Sequence, residues 1–147
     1  MSLDLKKMMQ EASQRFGTKF EELPSGAYLI DVPLKLKDGS IRYQYVYGSV
    51  GLDPTQNKEF FYLNSRCGII NEQTDFAGIL RDARYGIYTT IAIVNDRQRD
   101  GTPCETLIVQ ASPLVEYTAQ EQLLYIITEI AEKADIIEEK YFGGDMH

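Results

Sequence analysis

The chain has no tryptophan, one histidine, two cysteines and a shortage of basic residues, and each scarcity removes a class of function. The histidine, His147, is the last residue of 147. With no second imidazole, a Ser–His or Cys–His nucleophilic pair lacks its base. Cys67 and Cys104 have neither the number nor the spacing of a disulfide framework or a metal site, and are expected as reduced thiols in a cytoplasmic protein. Arg66 adjoins Cys67, but neighbouring residues of a strand point to opposite faces, so the pair is a weak reactive-thiol signal. Lys and Arg number 15 against 22 Asp and Glu, giving a net charge of −7. That balance works against a nucleic-acid partner, because phosphate binding relies on clustered cations.

Other absences narrow the field further. The opening stretch MSLDLKKMMQEASQRFG has no apolar run of signal-peptide length, and no segment approaches the roughly 20 apolar residues of a membrane span. No Gly-rich phosphate loop occurs, so no nucleotide cofactor is expected. Asp96 and Asp100 in NDRQRDG lack the alternating oxygens and distal Glu of a calcium loop, so no metal is expected either. These gaps favour binding over catalysis, and the chain is read as a non-enzyme.

What remains is an ordinary globular composition, 44% hydrophobic and 25% charged, of a length suited to one domain over residues 1–147. Leu5, Met8, Met9, Ala12 and Phe16 form a helical stripe over 3–16, stopped by Gly17. Alternation over 28–36 predicts a half-buried strand, and Pro33 suggests a sheet edge. Residues 41–48 and 59–65 read as the next strands, separated by the loop GLDPTQNKE. Asn71 to Thr74 offers caps for a short helix carrying Phe76, Ile79, Leu80 and Ala83. Two more strands, 87–94 and 104–111, precede a long helix that Thr118 and Glu121 open as a capping box. The order α-β-β-β-α-β-β-α predicts an α+β domain with a five-stranded antiparallel sheet. Strands three to five are apolar on both sides, which calls for cover on both sheet faces, and a second subunit would supply what three helices do not.

The segment SIRYQYVYGS places Tyr43, Tyr45 and Tyr47 at alternate positions, as in RNA-stacking sheets and in ordinary cores alike. A two-residue or four-residue loop at Asp38-Gly39 sets Tyr43 opposite Leu34, Tyr45 opposite Val32 and Tyr47 opposite Ile30, turning the tyrosines into the core. A three-residue loop with a bulge reverses that parity. The first arrangement is preferred because it unites two apolar stripes. It sends Lys35, Arg42 and Gln44 outward, and these three with Arg66 are the candidate partner-binding residues. The last segment, from Glu116 on, carries eight acids against Lys133 and Lys140, predicting a negative outer stripe on the final helix.

With that order in place, the stretches DGSIRYQYVYG, LNSRCG and AEKADIIEEKYFGGD complete a resemblance to the type III secretion chaperone-like fold, and within it to YbjN-type and related bacterial, including cyanobacterial, families. The resemblance implies an acidic cytoplasmic homodimer that binds protein clients as a chaperone-like or regulatory domain without catalysis; no cofactor, nucleic acid or membrane is expected beside it. It implies no ligand or catalytic residue. The competing expectation is a small-molecule or enzymatic pocket between the sheet and the C-terminal helix.

Overall fold

In the computed structural model, which describes residues 4–143, the elements run α1 (Leu5–Phe16), β1 (Phe20–Glu22), β2 (Tyr28–Lys35), β3 (Ile41–Asp53), β4 (Lys58–Ile69), α2 (Phe76–Ala83), β5 (Thr90–Arg97), β6 (Pro103–Ala111) and α3 (Gln120–Tyr141), with a 3-10 turn at Val115–Tyr117. The strands form one antiparallel sheet in the order β1-β2-β3-β4-β6-β5. There are six strands rather than five, because Phe20–Glu22, expected as part of a connection, pairs with Tyr28–Ile30. The α+β class and the single-sheet arrangement agree with the sequence pattern.

Three hairpins share one turn design. Leu23–Ala27, Leu36–Ser40 and Gln98–Thr102 each close by an amide of the first residue donating to the carbonyl of the fifth, at 2.8–2.9 Å. The fourth residue is Gly26, Gly39 or Gly101, with φ of 87–89°. This is the three-residue loop with a left-handed glycine, in which one extra residue shifts the pairing. Asp38 tightens the second loop by accepting bonds from the Ser40 amide and hydroxyl, which hold its carboxyl below the ordinary range.

That turn reverses the expected parity. Leu34 pairs with Arg42, Val32 with Gln44 and Ile30 with Val46, while Tyr43, Tyr45 and Tyr47 face Pro33, Asp31 and Leu29. Gln44 and Val46 are buried on the core side, and Tyr43 is 49% exposed. The tyrosines therefore lie on the outer face. Pro33 sits beyond the end of β1, so its segment is locally at an edge although β2 is an inner strand.

The helices all cover the other face. Met9 of α1 lies against Gly48 of β3, where an added Cβ would collide with its sulfur. Leu123, Ile126, Ile127, Ile130 and Ile137 of α3, with Ile79 of α2, join Ile30, Val46, Leu63 and Val109 in one core. Each such side chain contributes about 1.5–3 kcal/mol by leaving water. Gly17 at φ 69° ends α1 as expected, with Gly17 and Thr18 amides bonding Gln14 and Ser13 carbonyls. Asp75, not the Asn71–Thr74 run, caps α2. The capping box at α3 is not formed. Thr118 instead bonds the Leu114 carbonyl at 2.6 Å, and Glu121 pairs with Arg15.

One ion pair clasps α3 to the sheet. Arg42 donates Nε to Asp135 Oδ1 at 2.8 Å, Nη2 to Oδ2 at 2.7 Å and Nη1 to Glu139 at 2.9 Å. Asp135 is the more deeply buried partner, at 11% side-chain exposure against 28% for Arg42. Removing the arginine would leave that carboxylate without its counter-charge, so Arg42→Ala is expected to cost about 2–3 kcal/mol. Arg66→Ala, which breaks a pair 39% exposed on the arginine side, should cost under about 1 kcal/mol. Urea unfolding of both variants checks this order.

Candidate protein-binding surfaces

The four residues expected to share an outward surface are divided by the sheet. Lys35 is exposed on the outer face, and Arg66 lies there too, with its guanidinium carbon 4.7 Å from the Tyr47 ring centroid. Arg66 also donates to Asp96 at 2.7 Å. Arg42 and Gln44 belong to the helix-covered side. Gln44 is fully buried and its amide donates to the Ser65 hydroxyl and the Arg66 carbonyl. Arg42 and Gln44 are therefore structural, and the proposed four-residue patch does not exist as one surface. Cys67 faces the core, opposite Arg66, and burial pushes its thiol well above the ordinary range. Both cysteines are free. His147 lies outside the described residues.

The outer face carries Leu29 and Pro33 of β2, the three tyrosines of β3, Tyr62 of β4, Ile108 of β6 and Val94 of β5 on the same side. Tyr62 hydrogen-bonds Gln110 at 3.0 Å, and burial raises its phenol above the ordinary range. A groove of about 470 Å³ opens at one end, lined by Arg66, Asp96, Arg97, Arg99 and Cys104.

A second surface surrounds the β5 edge. The two edges of the sheet are unlike. The β1 edge is three residues long and carries Glu21 and Glu22, which discourage strand pairing. The β5 edge runs for eight residues, TIAIVNDR, with no proline, glycine or bulge. Exposed apolar side chains gather beside it: Leu80 on α2, Tyr85, Ile87 and Tyr88 in the connection, Ile93 on β5, and Tyr125 and Ile136 on α3. Ile87 is 72% exposed. Tyr88 and Tyr125 meet edge to face at 5.8 Å. Between α2, α3 and the strand lies a cleft of about 240 Å³, floored by Ile91, Val109 and Ile137 and rimmed by Tyr85, Ile136 and Lys133.

Glu129 holds this surface in place. Its carboxylate, projecting from α3, accepts the amides of Ile87 at 3.1 Å, Tyr88 at 2.9 Å and Thr89 at 2.9 Å. Burial disfavours its charge, but the hydrogen bonds outweigh that and hold the carboxyl below the ordinary range. Asp82 performs the companion task for α2, accepting from Lys140 at 2.9 Å and from the Tyr141 hydroxyl at 2.5 Å on α3. The expected negative stripe on α3 is thus depleted, because Glu129, Asp135 and Glu138 are buried. Sequence reasoning missed Glu129, which looked like one acid among many. Its only signal was its place on the apolar side of α3, three residues before Glu132 and between Ile126 and Ile130.

Among the described residues no group of His, Cys, Asp and Glu could hold a metal ion, and no helix is long and apolar enough to cross a membrane. No family model matches the chain, and no curated protein matches it. Among solved structures the chain is similar to YbjN of E. coli, described as a proposed transcription regulator, at 15% identity over 91% of this chain and 89% of that one, with a TM-score of 0.47. A likeness at that score carries no argument about activity.

Because the folded Glu129 carboxyl titrates below its unfolded value, its stabilisation is complete above about pH 4.5 and is lost as the pH falls through the lower, folded pKa. Glu129→Gln replaces one acceptor oxygen by a donor facing the same amides, and should destabilise by about 1–3 kcal/mol. It should also flatten that acid limb. Thermal melts of both proteins between pH 3 and 7, on the scale of ordinary carboxylate titration, give the measurement.

Proposed function

We propose that the chain is a non-catalytic protein-binding domain, homodimeric and cytoplasmic, that takes up an extended segment of a client at the β5 edge in a chaperone-like or regulatory role. The observation that carries this reading is the unprotected strand beside an apolar cleft. A strand edge offers unpaired amides and carbonyls to an incoming backbone, and a pocket at its side selects a side chain. Isolated apolar surface residues need no explanation, but a cluster at one edge marks an interaction site. Lys133 and Arg84 are near the cleft and suit a client with a carboxylate next to its apolar residue.

The competing small-molecule reading draws on the same cleft, which does lie between the sheet and the C-terminal helix. At about 240 Å³ it falls below the roughly 300–1,000 Å³ of ordinary ligand pockets. None of Arg42, Arg66 and Cys67 lines it, and Arg66 lines instead the separate groove of about 470 Å³. A nucleic-acid role gains little from the outward tyrosines, since the cations beside them are matched by Asp31 and Asp96.

The test is suppression of aggregation of a denatured model enzyme. The wild-type protein is expected to delay aggregation, and Ile87→Asp and Ile93→Asp to weaken this about tenfold, as expected for the loss of one apolar anchor. Equal protection by the variants, or none by the wild type, rejects the edge as the client site.

A further inference from the structure

We infer that the outer face of the sheet, with its tyrosine stripe, is the surface on which a second copy of this chain packs. The inference rests on the homodimeric reading above and specifies its surface. An antiparallel sheet with one wet face alternates apolar and polar side chains. Here the face opposite the helices sets large apolar and aromatic side chains among its polar ones, Asp31, Lys35, Asn64, Thr106 and Gln110. It presents Leu29, Ile41, Tyr43, Tyr45, Tyr47 and Tyr62, with Arg66 lying on Tyr47. Tyrosine and arginine are enriched at the centres of protein interfaces, whereas lysine and glutamate are depleted there. Ile41 is 57% exposed and no helix of the described chain lies over it.

Charge selects the occupant. The chain as a whole carries −7, yet the charged groups of this face cancel. By register Lys35, Lys58 and Arg66 share this face with Glu21, Asp31, Asp53 and Asp96, and in the groove at its end Arg97 and Arg99 stand beside Asp100. A surface without net charge does not repel its own copy, and it offers a phosphate backbone no excess of cations. A strongly basic partner is better served by the acidic remainder of the molecule.

The area is also sufficient. β2 to β6 each have eight or more residues. At about 4.8 Å between strands and about 3.3 Å per residue they give a face of roughly 600 Å² per copy. A face-to-face pair then buries roughly 1,200 Å², within reach of stable interfaces. Two such sheets pack about 10 Å apart with strands about 30° from alignment. That arrangement interleaves the tyrosine rings and leaves both β5 edges open to clients.

Light scattering on the wild type, Tyr43→Glu, Tyr45→Glu and Ile93→Asp at micromolar concentration tests the surface. The expected result is a wild-type dimer that becomes a monomer with either tyrosine replaced, while Ile93→Asp remains a dimer. Tyr43 is half exposed, so its replacement should leave native circular dichroism and a cooperative melt, and it decides the matter if Tyr45→Glu fails to fold. A dimer that survives Tyr43→Glu but is broken by Ile93→Asp overturns the sheet-face assignment and moves self-association to the β5 edge. A monomeric wild type overturns the homodimeric reading itself.

Discussion

A side chain in a strand can face only one of two ways, and in this sheet the choice is made at Gly39. At φ 88° that residue admits a third position into the loop between β2 and β3, and one residue in the loop moves every side chain of β3 to the other face. Arg42 then points under α3 and Gln44 enters the core. The tyrosines are left outside. Strand β4 takes its register from β3, and β6 from β4, so the same choice places Leu63, Cys67 and Val109 inside and Tyr62, Arg66 and Ile108 outside. Two other hairpins repeat the device at Gly26 and Gly101, so one turn chemistry sets the faces of most of the sheet.

The long helix answers that choice with its acids. A carboxylate turned towards a sheet is costly unless something meets it. Asp135 meets the inward Arg42, and Glu129 meets the three amides of the 87–89 connection. These two contacts do different work. The first ties the C-terminal half of α3 to β3. The second shapes a connection whose own apolar side chains, Ile87 and Tyr88, point away from the core. An acidic helix that reads as a charged exterior is in fact partly an interior fastener, and the surface it organises is apolar.

Two surfaces of unlike character result. The β5 edge is open, apolar and indented, with backbone groups free to pair. The outer sheet face is flat, aromatic and electrically balanced. Keeping an extended strand edge unprotected risks indiscriminate pairing. The opposite edge, short and acidic at Glu21 and Glu22, shows that the chain carries the means to protect an edge where it is used.

Much of this architecture was legible in residues alone. The stripe of α1, the glycine that ends it, the period of α3 and the site of the β2–β3 hairpin follow from local chemistry, because each depends on residues a few positions apart. The orientation of the tyrosines was not legible. Loops of two and three residues at Lys37-Asp38-Gly39 differ by a single dihedral choice, while both apolar stripes could have met. The capping box at Thr118 failed because Thr118 and Glu121 found partners in Leu114 and Arg15. β1 was too short to show a period. The sequence by itself determined the three helices and the five longer strands of the sheet. Only the tertiary structure decided which face each strand shows, and that Arg42 is clasped under α3 against Asp135 while Ile87 stays exposed. Those outcomes depend on pairings between residues far apart in the chain, where no local pattern can register them.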